Sequence, residues 1–216
     1  MKSFTLKSFL SPLLVLTLFT ACSKKSDPAP SKNDSKAEFV GNLNYLPFSY
    51  IVPNALFSNF LVTPYTNIRS DYMNISDIDT ITYISSITSI FVSSPIITLR
   101  TGKNPYNKYS SMPNVTDYKN HFAIGAYKFK TSQQDGIEIS CYDDLFGESW
   151  YSYTKDADQS KSTISIINVQ DYISFGSSFG ASQLQVTYQF QCYVYNSSGD
   201  KKILKGTLKT LFTNEY

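Results

Sequence analysis

From Gln183 to Val194, apolar and polar residues alternate without a slip. Leu184, Val186, Tyr188, Phe190, Cys192 and Val194 hold one set of positions, and Gln183, Gln185, Thr187, Gln189 and Gln191 hold the other. A period of two turns one set toward a core and the other toward water, as in a strand covered on one side. "SSGD" at 197–200 is turn chemistry. Beyond it, Leu204, Leu208 and Phe212 share a face, with Lys205 and Lys209 on the other. The pattern predicts a long antiparallel hairpin over 183–212.

Shorter runs of the same kind fill the middle of the chain. "AIGAYKFK" (123–130) and "GIEISCYD" (136–143) flank "TSQQD" and predict a second hairpin. "SWYSYT" (149–154) and "STISIINV" (162–169), joined through "KDADQSK", predict a third. Residues 37–52 read as two short strands, and "DTITYI" (79–84) and "PIITLR" (95–100) as two more. Ile75, Ile78, Ile81, Ile84, Ile87 and Ile90 fall every third residue. On a helix that spacing sweeps around the whole circumference and makes no stripe. In a strand it alternates faces, so it predicts strand buried on both sides. Residues 103–121 are polar, carry Pro105 and Pro113, and read as a long loop. The expected fold is an antiparallel β-sandwich, with a β-barrel as the alternative, of about nine to twelve strands. The 17 tyrosines and 15 phenylalanines agree, because aromatic residues suit a pleated, half-buried surface.

The first residues follow another pattern. Lys2 and Lys7 precede an apolar run from Phe9 to Phe19, then Thr20, Ala21 and Cys22. The run is too short to span a bilayer, which takes about 20 helical residues. Basic, apolar and then small residues are the layout of a secretory signal. "LFTAC" at 18–22 resembles the lipobox of bacterial lipoproteins. The resemblance implies a signal peptide over 1–21, cleavage before Cys22, and lipid on that cysteine. It makes the membrane a partner, reached through the anchor and not through a span. "SKKSDPAPSKNDSKAE" then lacks any large apolar residue, so 22–36 read as a disordered linker and 37–216 as a single β-rich domain.

Charge follows from this division. The chain holds 19 basic and 17 acidic residues; Lys2 and Lys7 account for the excess, and the part from Cys22 onward is formally neutral. A neutral domain offers no electrostatic reason to bind nucleic acid.

Candidate chemistry is sparse. Cys141 and Cys192 both fall on the apolar side of their strands. They are either a disulfide, which an exported protein can keep, or two buried thiols. The single histidine, His121, has no partner that the sequence nominates. Asp143, Asp144 and Glu148 surround the "DDLFGE" turn. Asp144 and Glu148 are a conceivable acid–base pair for glycoside hydrolysis. Asp156, Asp158 and Ser160 begin like a calcium loop but lack its central glycine and closing glutamate. The sequence contains no phosphate-binding glycine loop, Cys-x-x-Cys pair or His-Glu-x-x-His motif, and no cofactor is expected. Aromatic residues remain. Trp150, Tyr151 and Tyr153 lie close together, and Tyr193 and Tyr195 sit on the outward side of the terminal hairpin. They read either as a sugar-stacking surface or as ordinary half-buried sheet residues with Trp150 in the core.

Residues 120–212 also carry an ordered set of turn motifs. These are "AIGAYKF", "GIEISCYDDLFGESWYSY", "DQSKSTISI" and "YQFQCYVYNSSGDKKILKGTLKTLF". Together with the lipobox they resemble small envelope lipoproteins of the Bacteroidota whose domains have no assigned function. The resemblance implies an all-β outer-membrane lipoprotein and supplies no catalytic residues. In such proteins acidic residues after the cysteine favour surface display. Here Lys24 and Lys25 precede Asp27, which leaves both the surface and the periplasmic face open. The leading expectation is a non-enzymatic binding or structural β-domain whose partner is a glycan or an envelope protein. A carbohydrate-binding accessory module is the alternative, and a carboxylate-dependent hydrolase the third reading.

Overall fold

The computed structural model describes residues 35–53, 60–69, 78–89, 96–107, 113–143, 146–172 and 182–214. Cys22, Asp144, Ile75, Ile90, the expected signal peptide over 1–21 and the expected linker up to residue 34 lie outside them. In chain order the elements are β1 (Ser35–Leu43), β2 (Leu46–Pro53), β3 (Phe60–Arg69), β4 (Ile78–Ser89), β5 (Ile97–Arg100) and β6 (Asn104–Asn107). Helix α1 (Val115–His121) follows, then β7 (Gly125–Tyr127), β8 (Glu138–Asp143), β9 (Glu148–Tyr151), β10 (Thr163–Asp171), β11 (Ser182–Tyr195) and β12 (Lys201–Asn214).

The twelve strands form one antiparallel sheet in the order β2-β1-β12-β11-β9-β8-β5-β4-β3. β10 joins β11 and β7, and β6 joins β4. The path ends at β2 and β3 without closing, so the fold is an open, sandwich-like all-β sheet and not a barrel. β4 of the far half (β3 to β10) lies over β12 of the near half (β1, β2, β11 and β12). Ser85 of β4 and Thr210 of β12 bring their hydroxyl oxygens to 2.7 Å, and the Tyr83 hydroxyl donates to Asn214 Oδ1 at 3.4 Å. These strands are not ladder neighbours, so the bonds are made across layers.

The terminal hairpin forms as its alternation predicts, in unbroken register from Ser182 opposite Asn214 to Tyr195 opposite Lys201. β1 and β2 also form the expected pair. Their turn residues Asn44 and Tyr45 both have positive φ, 51° and 75°. That is the type I′ sense, which matches the twist of the flanking strands. In β4, Ile81, Tyr83, Ser85 and Ile87 are buried on one side and Ile84 and Ser86 on the other. Ile81, Ile84 and Ile87 of the period-three series therefore serve two buried faces. At the centre of the near half, Gly41 lies opposite Gly206. A Cβ on Gly41 would fall 2.1 Å from the Lys205 carbonyl oxygen and 2.7 Å from the Phe39 ring. The bare pair is the seat of that ring, which also stacks at 6.1 Å on Phe190.

Two predicted hairpins are corrected. Segments 123–130 and 136–143 do not pair as an antiparallel hairpin, since β7 pairs with β10 while β8 pairs with β5 and β9. The two segments touch through one parallel bridge, Phe129 to Ile137. Gly136 explains the geometry: its Cβ would lie 2.4 Å from the Lys128 carbonyl oxygen, so the chain crosses closely over itself there. Nor does β9 pair with β10. Both dock on one edge of β11, β10 along residues 184–191 and β9 at Tyr195. β9 instead closes a hairpin with β8 across the "DDLFGE" turn.

The sheet thus forks along β11, and a side chain fills the fork. Gln159 Nε2 donates to the carbonyl oxygens of Ser152 at 2.6 Å and Tyr193 at 2.7 Å, while its Oε1 accepts the Tyr193 amide at 3.3 Å. Gln159 makes the ladder bonds that a neighbouring strand would make, and it is buried. The "DQSKS" motif therefore has a structural basis.

The polar stretch 103–121 is not all loop, because it holds β6 and α1. The side-chain oxygen of Asn114 accepts the Asp117 amide at 2.9 Å and caps the helix. Tyr118 pins it, donating its hydroxyl to the Phe212 carbonyl at 2.9 Å. Among the described residues no helix is long and apolar enough to cross a membrane.

Candidate functional site

Strands β5, β8 and β9 each alternate, and their outward residues line up. Thr98 lies opposite Ser140, Ser140 opposite Tyr151, and Tyr151 opposite Tyr195. One step along, Arg100 lies opposite Glu138. Inward positions carry Leu99, Ile139, Cys141 and Trp150, all buried. The outward row is therefore polar and aromatic because the inward row is the core.

A shallow groove of about 150 Å³ opens on this surface. Tyr151 and Tyr153 wall it, with Thr98, Arg100, Glu138 and Ser140 around them. Tyr151 is 46% exposed. Lys130 sits 4.5 Å from the Tyr153 ring centre, and its Nζ reaches Glu138 Oε1 at 2.5 Å. The cation and carboxylate hold each other beside an aromatic face. A ring flanked by a guanidinium, a carboxylate and a hydroxyl can stack on a sugar and hydrogen-bond its hydroxyl groups.

Four of the five aromatic candidates share this outward surface. Tyr193 is covered by Lys201, whose Nζ stands 4.4 Å from its ring centre. The Tyr195 hydroxyl accepts the Asp158 amide at 3.2 Å and donates to the Asp158 carbonyl at 3.3 Å. These two rings are committed to the protein. Trp150 takes the core alternative: it points the other way, is 2% exposed, and lies under Lys202 with Nζ 4.0 Å from its ring centre. Lys202 also pairs with Asp143 at 3.2 Å, so Asp143 supports the core edge.

Cys141 and Cys192 are buried free thiols here and not a disulfide. Burial, with Asp143 adding to it, pushes the Cys141 thiol up to about 12, and burial raises Cys192 as well. Neither is a nucleophile at neutral pH. Glu148 is exposed on its turn and lies opposite Asp143 in the β8–β9 ladder, where Asp143 is buried and held by Lys202, so the two do not flank an open site as a hydrolytic pair would. Asp158 accepts the Ser160 amide at 2.9 Å, which lowers its pKa. The "KDADQSK" segment thus makes a local turn, and among the described residues no three metal-binding side chains converge.

His121 ends α1 inside an aromatic cluster, its ring 5.5 Å from Tyr83 and 5.1 Å from Phe122. Burial lowers its pKa to about 4, against a small opposing pull from Asp135. It is neutral at pH 7 and stands apart from the outward groove.

Sequence reasoning missed Arg100, Glu138 and Lys130 as groove residues. Arg100 and Glu138 are ordinary polar positions in β5 and β8, and Lys130 lies outside the strands and reaches the groove through Glu138 and Tyr153. They meet through the β5–β8 register and the crossing at Gly136, and neither carries a local signal. No protein-family model matches the chain, and neither a curated protein nor a solved structure does.

Proposed function

We propose that the protein is a lipid-anchored envelope lipoprotein whose β-domain binds glycans, without catalysis, through the outward groove of β5, β8 and β9. One observation carries this reading: Tyr151 and Tyr153 stand beside Arg100, Glu138 and Ser140 in a groove on a rigid sheet. Rigid aromatic walls with a few placed polar groups are what a sugar ring needs. The volume, about 150 Å³, suits a single ring and points to a chain that runs across the groove instead of sinking into it.

A binding role fits better than hydrolysis. Cleavage of a glycosidic bond takes two carboxyl groups on opposite sides of it. The described groove has one carboxylate, Glu138, already engaged by Lys130. The anchor follows from the resemblance of residues 18–22 to a lipobox, and it would hold the groove at an envelope surface where glycans are abundant.

The test is an array of bacterial and plant glycans probed with the full-length chain, Tyr151→Ala and Tyr153→Ala. We expect wild-type binding that drops about 5-fold or more in each variant, since aromatic stacking is worth about 1 kcal/mol. Wild-type binding to no glycan on the array would end the proposal. Growth with labelled palmitate, followed by Cys22→Ser, tests the anchor: label that persists in the variant would remove it.

A further inference from the structure

The β2 end of the sheet holds a feature independent of the groove. Among the described strands β2 has one ladder neighbour, β1, and its other edge is open. The two-residue turn at Asn44 and Tyr45 fixes which backbone groups point there. Leu43 lies opposite Leu46 beside that turn, and such a pair exchanges both of its N–H···O bonds. Bonded pairs recur at every second residue, so Leu46, Phe48, Tyr50 and Val52 bond to β1. Pro47, Ser49, Ile51 and Pro53 turn their backbone groups to the open edge.

The two prolines agree with this phase. Neither has an N–H to give, and both fall where β1 needs none. They leave the edge with two donors, the amides of Ser49 and Ile51, and with the carbonyls of the same residues as acceptors. Pro47 stands two residues before Ser49, and Pro53 two after Ile51. The open edge is therefore symmetric about Tyr50.

A symmetric edge matches itself. If a second copy is turned about a two-fold axis at Tyr50, Ser49 of each copy meets Ile51 of the other. Each pair exchanges two N–H···O bonds, so all four amides and their four carbonyls are used. Pro47 then lies opposite Pro53 of the second copy, and the ladder ends there without burying an unmet N–H. The prolines deny a longer strand any further N–H, so a foreign strand finds no donor that a second copy lacks.

The side chains suit the same contact. Edges that stay single are usually guarded by charge, and β2, "LPFSYIVP", carries none. Ile51 is 55% exposed, and Val40 on the same face of β1 is 47% exposed. In the paired form a row runs Val40, Ser49, then Ile51 and Glu38 of the second copy. On the other face, half-buried Tyr50 stands beside Tyr50 of the second copy, with Phe48 already against it at 5.3 Å.

We propose that the β2 edge is a self-association site, where two copies join their sheets in an antiparallel β2–β2 ladder with its two-fold axis at Tyr50. The contact is isologous, so it consumes both β2 edges and closes at two.

The experiment is sedimentation equilibrium of the full-length protein in density-matched detergent. A contact this short belongs to the transient size class, so a dimer with a dissociation constant on the order of 100 μM is expected. Ile51→Pro spares the β1 ladder and removes one donor from each copy, half of the four bonds. It should weaken the dimer at least about 10-fold. Two double variants fix the register. Ser49→Lys with Ile51→Lys sets like charges opposite each other across the axis. Ser49→Glu with Ile51→Lys sets opposite charges there, and it should associate at least about 10-fold more tightly than the double-lysine variant. All three variants change exposed side chains, and the dispersion of their NMR spectra checks folding. A wild type that is monomeric at about 1 mM overturns the proposal. So does undiminished association of Ile51→Pro, or equal association of the two charge variants.

Discussion

The protein uses the same aromatic residue types in two regions with opposite consequences. Inside, Tyr83, Tyr118, His121, Phe122 and Phe212 pack ring to ring, with centres 4.7 to 5.5 Å apart along the chain of contacts. There a hydroxyl must find an acceptor, and burial raises the pKa of Tyr83 and Tyr118. Outside, Tyr151, Tyr153, Tyr193 and Tyr195 lie on the sheet, where lysines and backbone atoms hold some of them and water reaches others. The inner rings hold the layers together; the outer ones present surface. For the residues in strands, Tyr83 and Phe212 inside and Tyr151, Tyr193 and Tyr195 outside, what separates the two is parity, which decides the direction of each side chain before its identity matters.

The contrast is broken most directly by truncation. Phe122→Ala should cost about 3–5 kcal/mol in denaturant unfolding, because it opens a void among four rings. If Tyr151→Ala cost as much, the outer set would be structural too and the distinction would fail. Gln159→Leu should cost about 2–4 kcal/mol, since it leaves two carbonyls without their bonds at the fork and the Tyr193 amide with only Ser162 Oγ at 3.4 Å. A loss under about 0.5 kcal/mol would mean that water serves the fork as well.

Acid is the next probe. His121 has a folded-state pKa of about 4 against 6.5 unfolded. Below pH 6.5 the unfolded chain takes up the proton first, so stability is full above 6.5 and falls as pH drops toward 4. The loss is at most about 3 kcal/mol. Comparing wild type with His121→Gln between pH 7 and 4.5 isolates this slope from that of the carboxylates. Parallel curves would contradict a buried neutral imidazole. The smallest effect belongs outside: Lys130→Met should change stability by less than about 1 kcal/mol, as for an ion pair that is partly in water. It should nevertheless alter glycan binding, because it frees Glu138.

Much of the near half was legible in the sequence. The β11–β12 hairpin and the β1–β2 pair are set by alternation and by turns of a few residues, and both signals are local. The isoleucines of β4 were readable because period three has a distinct meaning in a strand. The far half was legible as strands but not as neighbours. "SWYSYT" and "STISIINV" were correct segments wrongly joined, because their common partner β11 comes later in the chain and the fork depends on one glutamine. Helix α1 was missed because seven residues with one buried side chain, Tyr118, leave no apolar stripe. Of the candidate site, the outward tyrosines could be read from parity, whereas the groove is a product of long-range register.

One feature of the near half bears on how the domain would carry load. β1 is the first of the described strands and is hydrogen-bonded on both edges, to β2 on one side and to β12 on the other. If the anchor holds and a bound glycan is pulled, tension enters along the axis of β1. It must then shear two ladders at once and cannot peel one open bond by bond. Six residue pairs, Glu38 to Leu43 with Lys209 to Leu204, share the force on the β12 side alone. On that reading, the two ladders of β1 make the domain a link that resists a pull along that strand by shear.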